Sequence, residues 1–477
     1  MAALRHNLYA RTAYRALSTQ SSSRSNSLPL TADGKFYTPP ASNDGGNTAS
    51  ANNVKAVPPS PLSALPTGVL FRSLFINSIS SRPFLLSPAI SVMSFLCQPN
   101  KSFLFDVNRN KLLARLMKAV VYKQFCAGES GTEVKETLKQ FKKMGFRGTI
   151  VTYAKETVFD YNKNVVQDAG IEAFTDRAAN LCPNIERWHN GVLETIDMLG
   201  EGDQLAVKIT GAGPLVTDAL AAKEPLPKQM SDSLWTISER CKHRQVRLLI
   251  DAESQLYQEG ILKAGLDLMK EYNRDGHALI YNTYQAYLKS TPATIESHLS
   301  AALDGKFTLG LKLVRGAYLA TEKRSLIHDT KMDTDNAYNA IAHGALSKKF
   351  GPIGEEGVQS FPSVNLMLCG HNKQSVFTAH ALHQQRLQQG LPTVPVGFAQ
   401  LQGMSDQISF GLLQLGKLHG SGPEVYKCST WGTVVECLGY LTRRALENRD
   451  AAGRTVDEYK ALKAEAKRRL LSPMSRS

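Results

Sequence analysis

The chain has 477 residues, of which 42% are hydrophobic and 21% charged, and its formal net charge is +14. This hydrophobic content supports a packed core in one large domain with additions or in two ordinary domains. The positive charge contains no dense Lys/Arg run with interleaved aromatic residues, so the sequence does not predict a nucleic-acid-binding protein.

The seven cysteines, an odd number with no CxxC pair, indicate reduced thiols rather than a disulfide framework or a zinc site. The chain also lacks an HExxH motif, a Walker A motif and a strand-linked GxGxxG fingerprint. No metal is therefore predicted, and any redox cofactor must bind to a fold other than a Rossmann domain.

The first residues have the composition of a targeting segment. Residues 1–27 contain four arginines and no acidic residue, and apolar and basic side chains recur at helical spacing from Leu4 to Arg15. This pattern is typical of a mitochondrial transit peptide, and a disordered basic tail is the alternative. Residues 28–69, rich in Pro, Ser, Asn and Gly up to Pro66, are predicted to form a disordered linker.

Residues 70–145 are predicted to form an N-terminal helical extension. Leu70–Leu96 is apolar and serine-rich but is interrupted by Arg72, Arg82 and Pro83, which favours a packed or membrane-surface helix over a bilayer span. Asn108–Lys143 has an apolar face at helical spacing.

From Phe146 onward, short apolar runs alternate with longer helix-like stretches. The predicted strands are Thr149–Tyr153, Leu205–Thr210, Val246–Glu253, Ala278–Gln285, Leu309–Val314, Asn365–His371, Val396–Leu401 and Glu424–Cys428. The predicted helices are Ile171–Leu199, Gln255–Tyr272, Pro292–Leu303, Asn336–Ser347, Lys373–Gln388, Asp406–Leu415 and Val434–Glu447. This alternation predicts an α/β fold, a (β/α)8 TIM-type barrel over residues 146–455, followed by a basic helix or tail over 456–477.

Polar side chains recur at the carboxyl ends of the predicted strands, where barrels of this type collect their chemistry. They are Lys208, Asp251, Glu253, Gln285, Lys312, Arg315, His371, Asn372 and Gln402–Met404. Each has a structural alternative, such as a helix cap for Asp251 or a surface role for Lys208. Their joint placement predicts one active site, centred on Leu311–Arg324, whose cations could face an anionic cofactor or substrate.

The last predicted barrel helix adds a second set of residues. Tyr440, Arg443, Arg444 and Glu447 lie three and four positions apart, hence on one helical face. Two adjacent guanidinium groups could both reach one carboxylate, and their planar donors suit that anion better than lysine does. The alternative is a solvated face with a salt bridge to Glu447.

With these segments in view, the chain resembles proline dehydrogenase, the mitochondrial flavoenzyme of proline catabolism, in its fungal form. The resemblance spans about residues 108–452 and depends on LAVKIT, LLIDAE, NTYQAYLK, KLVRGAYLATE, GHN and, above all, YLTRRALEN. It implies a distorted barrel that binds FAD non-covalently and oxidises L-proline to Δ1-pyrroline-5-carboxylate. It further implies that electrons pass to quinone at the matrix side of the inner mitochondrial membrane, where the protein is peripheral.

The resemblance also implies roles for individual residues. The substrate carboxylate would be bound by Arg443, Arg444 and Lys208. The pyrrolidine ring would pack on Tyr440, Leu401 and Cys428, and Asp251 would order Lys208, Tyr440 or an arginine. The implied catalytic residues are Asp251, Lys208, Lys312 and Tyr440. The implied FAD contacts are Gln285, Lys312, Val314, Arg315, Gly316, Gly370, His371, Asn372 and Glu447.

Two departures from the family pattern leave alternatives open. Cys428 stands where relatives often carry a tyrosine, and Lys312 stands where bacterial members carry arginine, so the chain could instead prefer hydroxyproline. A flavin-free barrel enzyme with Lys208 or Lys312 as a Schiff-base nucleophile is a second alternative. A membrane-apposed scaffold that uses Leu70–Leu96 and the basic Lys463–Arg476 segment is a non-enzymatic third.

Overall fold

A computed structural model of the chain describes residues 60–98, 102–153, 157–160, 165–168, 181–419, 422–447 and 452–471. The residues described from Pro61 onward belong to one compact unit, Pro61–Ser477. The predicted transit peptide and most of the predicted linker lie outside the described residues.

Eight parallel strands close into a barrel, which confirms the predicted (β/α)8 architecture. Their order around the barrel is β1-β10-β9-β8-β7-β6-β5-β4, and β2 and β3 form a separate antiparallel pair. The strands are β1 Gly148–Tyr153, β2 Thr157–Asp160, β3 Val165–Asp168, β4 Gln204–Val207, β5 Arg247–Ile250, β6 Ile280–Gln285, β7 Leu309–Val314, β8 Val364–Cys369, β9 Val396–Leu401 and β10 Glu424–Trp431.

Helices precede the barrel, alternate with its strands and follow it. They are α1 Thr67–Ser80, α2 Pro83–Leu96, α3 Lys111–Met117, α4 Gly131–Lys143, α5 Pro183–Met198, α6 Pro214–Ala222, α7 Lys228–His243, α8 Gln255–Tyr272, α9 Thr291–Asp304, α10 Lys331–Ser347, α11 Lys373–Gln388, α12 Asp406–His419, α13 Val434–Glu447 and α14 Ala452–Leu471. A π turn, Lys118–Tyr122, and the short helix Lys123–Phe125 extend α3.

The barrel strands are buried on both faces, which explains their nearly continuous apolar runs. Alternate residues point inward, so that Leu249, Tyr281, Met367 and Tyr426 join one cluster that fills the barrel interior. The other face packs against the helices, as Leu248 does. With the interior filled, polar side chains gather beyond the carboxyl ends of the strands.

Some boundaries differ from the predicted ones. Strands β4 and β5 end at Val207 and Ile250, so Lys208 and Asp251 lie just past the sheet, and Ile209–Ala212 forms a 3-10 turn. The β2–β3 pair, α6 and α7 were not predicted. The β2–β3 strands and α6 are short, whereas the 16-residue α7 carries Met230, Leu234, Ile237 and Cys241 at helical spacing, a signal that was present in the sequence. Their packing partners lie elsewhere in the chain.

Two residues within the predicted linker, which ends at residue 69, are packed against the rest of the chain. Leu62 and Leu65 are buried, and Arg469 of α14 donates to their carbonyl oxygens at 3.1 and 2.6 Å. The Pro/Ser-rich composition masked these two apolar anchors. The C-terminal helix is likewise a packed element, because Leu462 and Glu465 are both buried.

The predicted Leu70–Leu96 helix is two helices. Pro83 starts α2, and the axes of α1 and α2 differ by 103°. Among the described residues, no single helix is long and apolar enough to cross a membrane, although this bent pair together meets the length and composition criteria. The predicted Asn108–Lys143 helix is also interrupted, since Ser130 caps a new helix, α4.

Helix α13 is held by the helices that precede the barrel. Val434, Cys437 and Leu438 are buried in a cluster with Tyr122, whose hydroxyl donates to the Gly432 carbonyl oxygen at 2.7 Å. From there the helix carries Arg444 to the backbone just beyond β7. It therefore brings its polar side chains to the carboxyl end of the barrel.

Candidate functional site

A partly buried carboxylate between two lysines lies at the carboxyl end of the barrel. The Nζ of Lys312 donates to Oδ1 of Asp251 at 2.5 Å, and the Nζ of Lys208 lies 3.3 Å from Oδ2. Three barrel strands supply these groups: Lys208 follows β4, Asp251 follows the adjacent β5, and Lys312 belongs to β7, which β6 separates from β5. The structure thus brings together three of the predicted catalytic residues.

Mutual charge stabilisation keeps this cluster ionised. Burial by itself would raise the pKa of Asp251, but Lys312 and Lys208 outweigh that effect and lower the pKa below its usual value. Burial would lower the pKa of Lys312, but Asp251 raises it. The cluster therefore carries two positive charges and one negative charge, a net positive charge that favours an anionic ligand and a neutral amine.

The loop after β7 turns sharply against Gln285. Gly316 has φ +139°, and a Cβ there would lie 2.3 Å from the ring of Tyr287. Both the backbone conformation and the lack of space therefore exclude a side chain at this position. The amide of Gln285 is oriented by two contacts, since it accepts from the Ala317 N–H at 3.2 Å and donates to the Glu253 carbonyl oxygen at 3.2 Å. Val314, which pairs with Gln285, ends β7 at the same edge.

Arg315 lies beside the N-terminus of α11. Its Nε donates to Asp335 at 2.7 Å, its Nη2 donates to Ser375 Oγ at 2.8 Å, and its guanidinium stacks 4.2 Å from the ring centre of Tyr338. Its Nη1 is buried with no hydrogen-bond partner among the described residues. A fixed cation with an unused donor at a helix N-terminus is suited to a phosphate group.

The residues after β8 complete this edge. Gly370 leaves room for Arg315, because a Cβ there would lie 3.1 Å from Nη1. Asn372 caps α11 by accepting from the Ser375 N–H at 3.2 Å, and Nδ1 of His371 is 3.0 Å from Ser405 Oγ. These three predicted cofactor residues therefore lie around the same helix N-terminus.

Arg444 reaches the mouth of the barrel between two aromatic rings. Its guanidinium carbon lies 5.0 Å from the ring centre of Tyr318 and 5.6 Å from that of Tyr440, and its Nη1 donates to the Ala317 carbonyl oxygen at 3.4 Å. Tyr318 is itself buried. This arrangement holds a planar cation over the loop that follows β7.

The remaining predicted residues are less closely gathered. The Arg443 side chain runs back along α13, since a Cβ on Gly439 would lie 3.8 Å from its Nη1. Leu401 and Cys428 pair across β9 and β10, and a hydrogen bond with Cys369 lowers the pKa of Cys428. Glu447 ends α13, and its side chain lies outside the described part. A shared grip of both arginines on one carboxylate remains a prediction.

Three supporting residues were not assigned roles from the sequence. Tyr318 stacks on Arg444, Asp335 orients Arg315, and Glu253 is a buried acceptor for both the N–H and the hydroxyl of Thr210. Tyr318 and Glu253 lie in the motifs at the ends of β7 and β5, and this position could have predicted that they lie near the site. Nothing in the sequence indicated a role for Asp335, because it lies in a helix twenty residues after its partner Arg315.

Glu322 anchors the loop that carries Tyr318. Its Oε1 accepts from the Gln255 N–H at 2.7 Å, its own N–H donates to the Tyr318 carbonyl oxygen at 3.0 Å, and it is only 2% exposed. Burial raises its pKa to about 7. The loop after β7 is therefore tied to the start of α8 by a carboxyl group that titrates near neutral pH.

We expect Glu322→Gln to flatten the pH dependence of stability. An acid whose folded pKa exceeds its unfolded value destabilises the fold as pH rises from about 4.5 to about 7, here on the order of 3 kcal/mol. Chemical unfolding of the variant from pH 5 to 8 should lack this fall. The exposed Glu224→Gln is the control and should keep the wild-type profile; a parallel profile for Glu322→Gln would contradict the assignment.

Comparison with known proteins gives a consistent result. A family model described as "Proline dehydrogenase" matches residues 134–457. A "Probable proline dehydrogenase, mitochondrial" of Schizosaccharomyces pombe is 27% identical over 445 residues, which cover 84% of this chain and 88% of the relative. "Hydroxyproline dehydrogenase" of Rattus norvegicus is 27% identical over 401 residues, covering 76% of this chain and 84% of the relative.

Among solved structures, proline utilization A (PutA) from Bdellovibrio bacteriovorus aligns with a TM-score of 0.58 at 16% identity. The alignment covers 88% of this chain, which spans only 43% of the length of the PutA chain. At this identity the likeness shows a shared fold.

Proposed function

This chain belongs to the proline dehydrogenase family, and from that premise we propose that it oxidises L-proline to Δ1-pyrroline-5-carboxylate with FAD as cofactor and quinone as electron acceptor. The observation that carries the proposal is the cationic mouth of the barrel, where Lys208 and Lys312 flank Asp251 and Arg444 lies over the loop that follows β7. A site of this charge suits a small amino acid that binds through its carboxylate.

The substrate carboxylate would be held by Arg444, with Arg443 and Lys208 assisting. The guanidinium of Arg444 is pre-oriented by Tyr318 and Tyr440, so little side-chain freedom is lost when a ligand binds. Tyr440 and Leu401 would pack on the pyrrolidine ring. Fixing the ring in this way supplies the orientation that hydride transfer requires.

The residues present fit FAD. The unpaired Nη1 of Arg315 lies beside the N-terminus of α11 with Gly370 and Asn372, a site suited to the pyrophosphate. Gln285, Lys312, Val314 and Gly316 would follow the isoalloxazine, and His371 and Glu447 would complete the contacts. When bound, FAD would accept the hydride from the ring carbon, so no protein nucleophile is needed.

Asp251 and the two lysines would set the protonation state of the substrate. A secondary amine must be neutral before it can lose a hydride, and the net positive charge of the cluster disfavours a protonated amine beside it. Asp251 would also hold Lys208 in place through their contact at 3.3 Å.

We place the protein in mitochondria, at the matrix side of the inner membrane, because its acceptor would be a membrane quinone.

The first experiment is a visible absorption spectrum of the purified protein, before and after anaerobic addition of L-proline. A flavin spectrum that L-proline bleaches is the expected result. A flavin that bleaches only with hydroxyproline would change the substrate. A colourless protein that takes up no added FAD would contradict the proposal, and a borohydride-reducible lysine adduct would then favour the Schiff-base alternative.

Cys428 determines, on this proposal, how strictly the ring is selected. We expect Cys428→Tyr to raise the preference for L-proline over trans-4-hydroxy-L-proline, measured as a ratio of kcat/KM values, by about tenfold, because a larger side chain would crowd the ring hydroxyl. Cys182→Tyr, a substitution outside the mouth, is the control. An unchanged ratio would remove Cys428 from the substrate site.

A further inference from the structure

The helices that precede the barrel expose an unusual amount of apolar surface. Of the 23 large apolar side chains that are exposed in the described part of the chain, eleven lie between Phe71 and Leu116. This short stretch is about a tenth of the chain but holds nearly half of the exposed apolar groups. Contiguous patches of this kind usually mark an interaction site.

Most of these side chains lie on α2, α3 and the turn between them, here together named the α2–α3 surface. On α2, Phe84 and Val92 lie on one helical face and are 72% and 58% exposed. On α3, Leu112 and Leu116 are 77% and 57% exposed. Leu104, 67% exposed, lies between the two helices, in the short turn Phe103–Phe105.

The opposite faces of the same helices pack against α13. Met93, Leu96, Leu113 and Met117 are partly buried against the cluster that contains Val434, Cys437 and Leu438. The Phe95 and Phe105 rings meet edge to face at 5.5 Å, which links α2 to the turn before α3. The α2–α3 surface is therefore rigidly backed by the helix that carries Tyr440 and Arg444.

The charge of this segment is strongly one-sided. Residues 60–125 contain eight Lys or Arg residues and a single acid, Asp106, which gives a net charge of +7. Arg109, Lys111 and Arg115 are exposed and alternate with Leu112 and Leu116. Long basic side chains beside an apolar face are typical of helices that lie in a membrane interface.

We propose that the α2–α3 surface docks on an anionic lipid bilayer, with Phe84, Leu104 and Leu112 inserted among the acyl chains and Arg109, Lys111 and Arg115 at the headgroups. This inference rests on the proposed function and deepens it, since it names the surface that meets the membrane holding the acceptor. A second copy of the chain is a poorer occupant, because it would bring together two faces that each expose Arg109, Lys111 and Arg115.

Docking by this face would orient the barrel. Because α13 lies directly behind the α2–α3 surface, the carboxyl end of the barrel would be held close to the bilayer. A lipid-soluble acceptor would then reach the site from the membrane, whereas L-proline would enter from water.

The test is co-sedimentation of the full chain with vesicles of phosphatidylcholine, with or without one quarter phosphatidylglycerol. The wild-type protein should bind the anionic vesicles more tightly, and less tightly at high salt. Leu104→Glu combined with Leu112→Glu should weaken partitioning about 100-fold. The matched control, Leu387→Glu with Leu391→Glu, adds the same charge at exposed positions at and after the end of α11 and should bind as the wild type does.

Three results would overturn the inference: no binding of the wild-type protein, equal loss in the control, or a double variant that changes only the oligomeric state, which would identify a second copy as the occupant. Proline-dependent reduction of a water-soluble dye should be equal in wild type and both double variants. Binding without any proline oxidation would reject the proposed function and leave the docking surface intact.

Discussion

Replacing Arg444 by methionine is expected to lower kcat/KM for L-proline by about 100-fold or more. Methionine keeps most of the apolar stem of the side chain but removes the charged donors, each of which contributes about 1.5–3 kcal/mol to a carboxylate contact. Arg444 is also the arginine that Tyr318 and Tyr440 hold over the loop after β7. Steady-state kinetics with a water-soluble dye acceptor gives the measurement.

Three comparisons separate carboxylate binding from a general structural effect. Arg444→Lys should recover only part of the activity, because a lysine cannot form the planar two-donor contact. Arg443→Met should have a smaller effect, since that side chain runs toward Gly439. The oxidation of pyrrolidine, which lacks the carboxylate, should be only slightly slower in the Arg444→Met variant than in the wild type. An unchanged rate with L-proline would reject the assignment.

The barrel could be predicted from the sequence because most of its strands are buried apolar runs that end in a polar residue. Leu309–Val314 and Val396–Leu401 have the predicted bounds, as do the helices Gln255–Tyr272, Lys373–Gln388 and Val434–Glu447. In these segments local pattern and tertiary burial agree, so periodicity alone locates them. The placement of polar residues at strand ends also put Lys208, Asp251 and Lys312 on one rim.

The parts of the structure that depend on contacts between distant segments could not be predicted from the sequence. Nothing in the sequence of Val434–Glu447 shows that it leaves the barrel wall to pack on α2 and to reach Ala317. The stacking of Tyr318 on Arg444 follows from that packing and could not be predicted without it. The anchors Leu62 and Leu65 were likewise hidden in a linker-like composition, because burial is decided by what packs on them.

The contact between Asp251 and its two lysines gives the second large effect. Asp251→Asn should lower the free energy of unfolding by about 3 kcal/mol, since it leaves Lys312 buried without its counter-charge. It should also lower kcat/KM for L-proline at least 100-fold, because Lys208 and Lys312 would lose their fixed positions. Thermal or chemical unfolding and steady-state kinetics measure the two effects separately.

The pH dependence of stability distinguishes this explanation from simple misfolding. In the wild-type protein Asp251 raises the pKa of Lys312, so the stability that this lysine contributes is lost only as pH rises above its unfolded value of 10.5. In Asp251→Asn the main opposition to the effect of burial is removed, so the pKa of Lys312 should fall below 10.5 and stability should instead increase from pH 7 to 10. A flat or falling profile in the variant would contradict the assignment.

Two further variants complete the argument. Adding Lys312→Met to Asp251→Asn removes the unpaired charge and should restore most of the lost stability without restoring activity, which no purely structural role predicts.

Asp203→Asn affects a buried carboxylate before β4, at the other end of the barrel, whose partner Lys142 is 35% exposed. That variant should be moderately less stable, with unchanged kcat/KM and no rise of stability from pH 7 to 10, because its partner lysine is partly open to solvent and is not left as a buried charge. The contrast would locate the chemistry at the carboxyl end of the barrel, where the buried charges do more than hold the strands together.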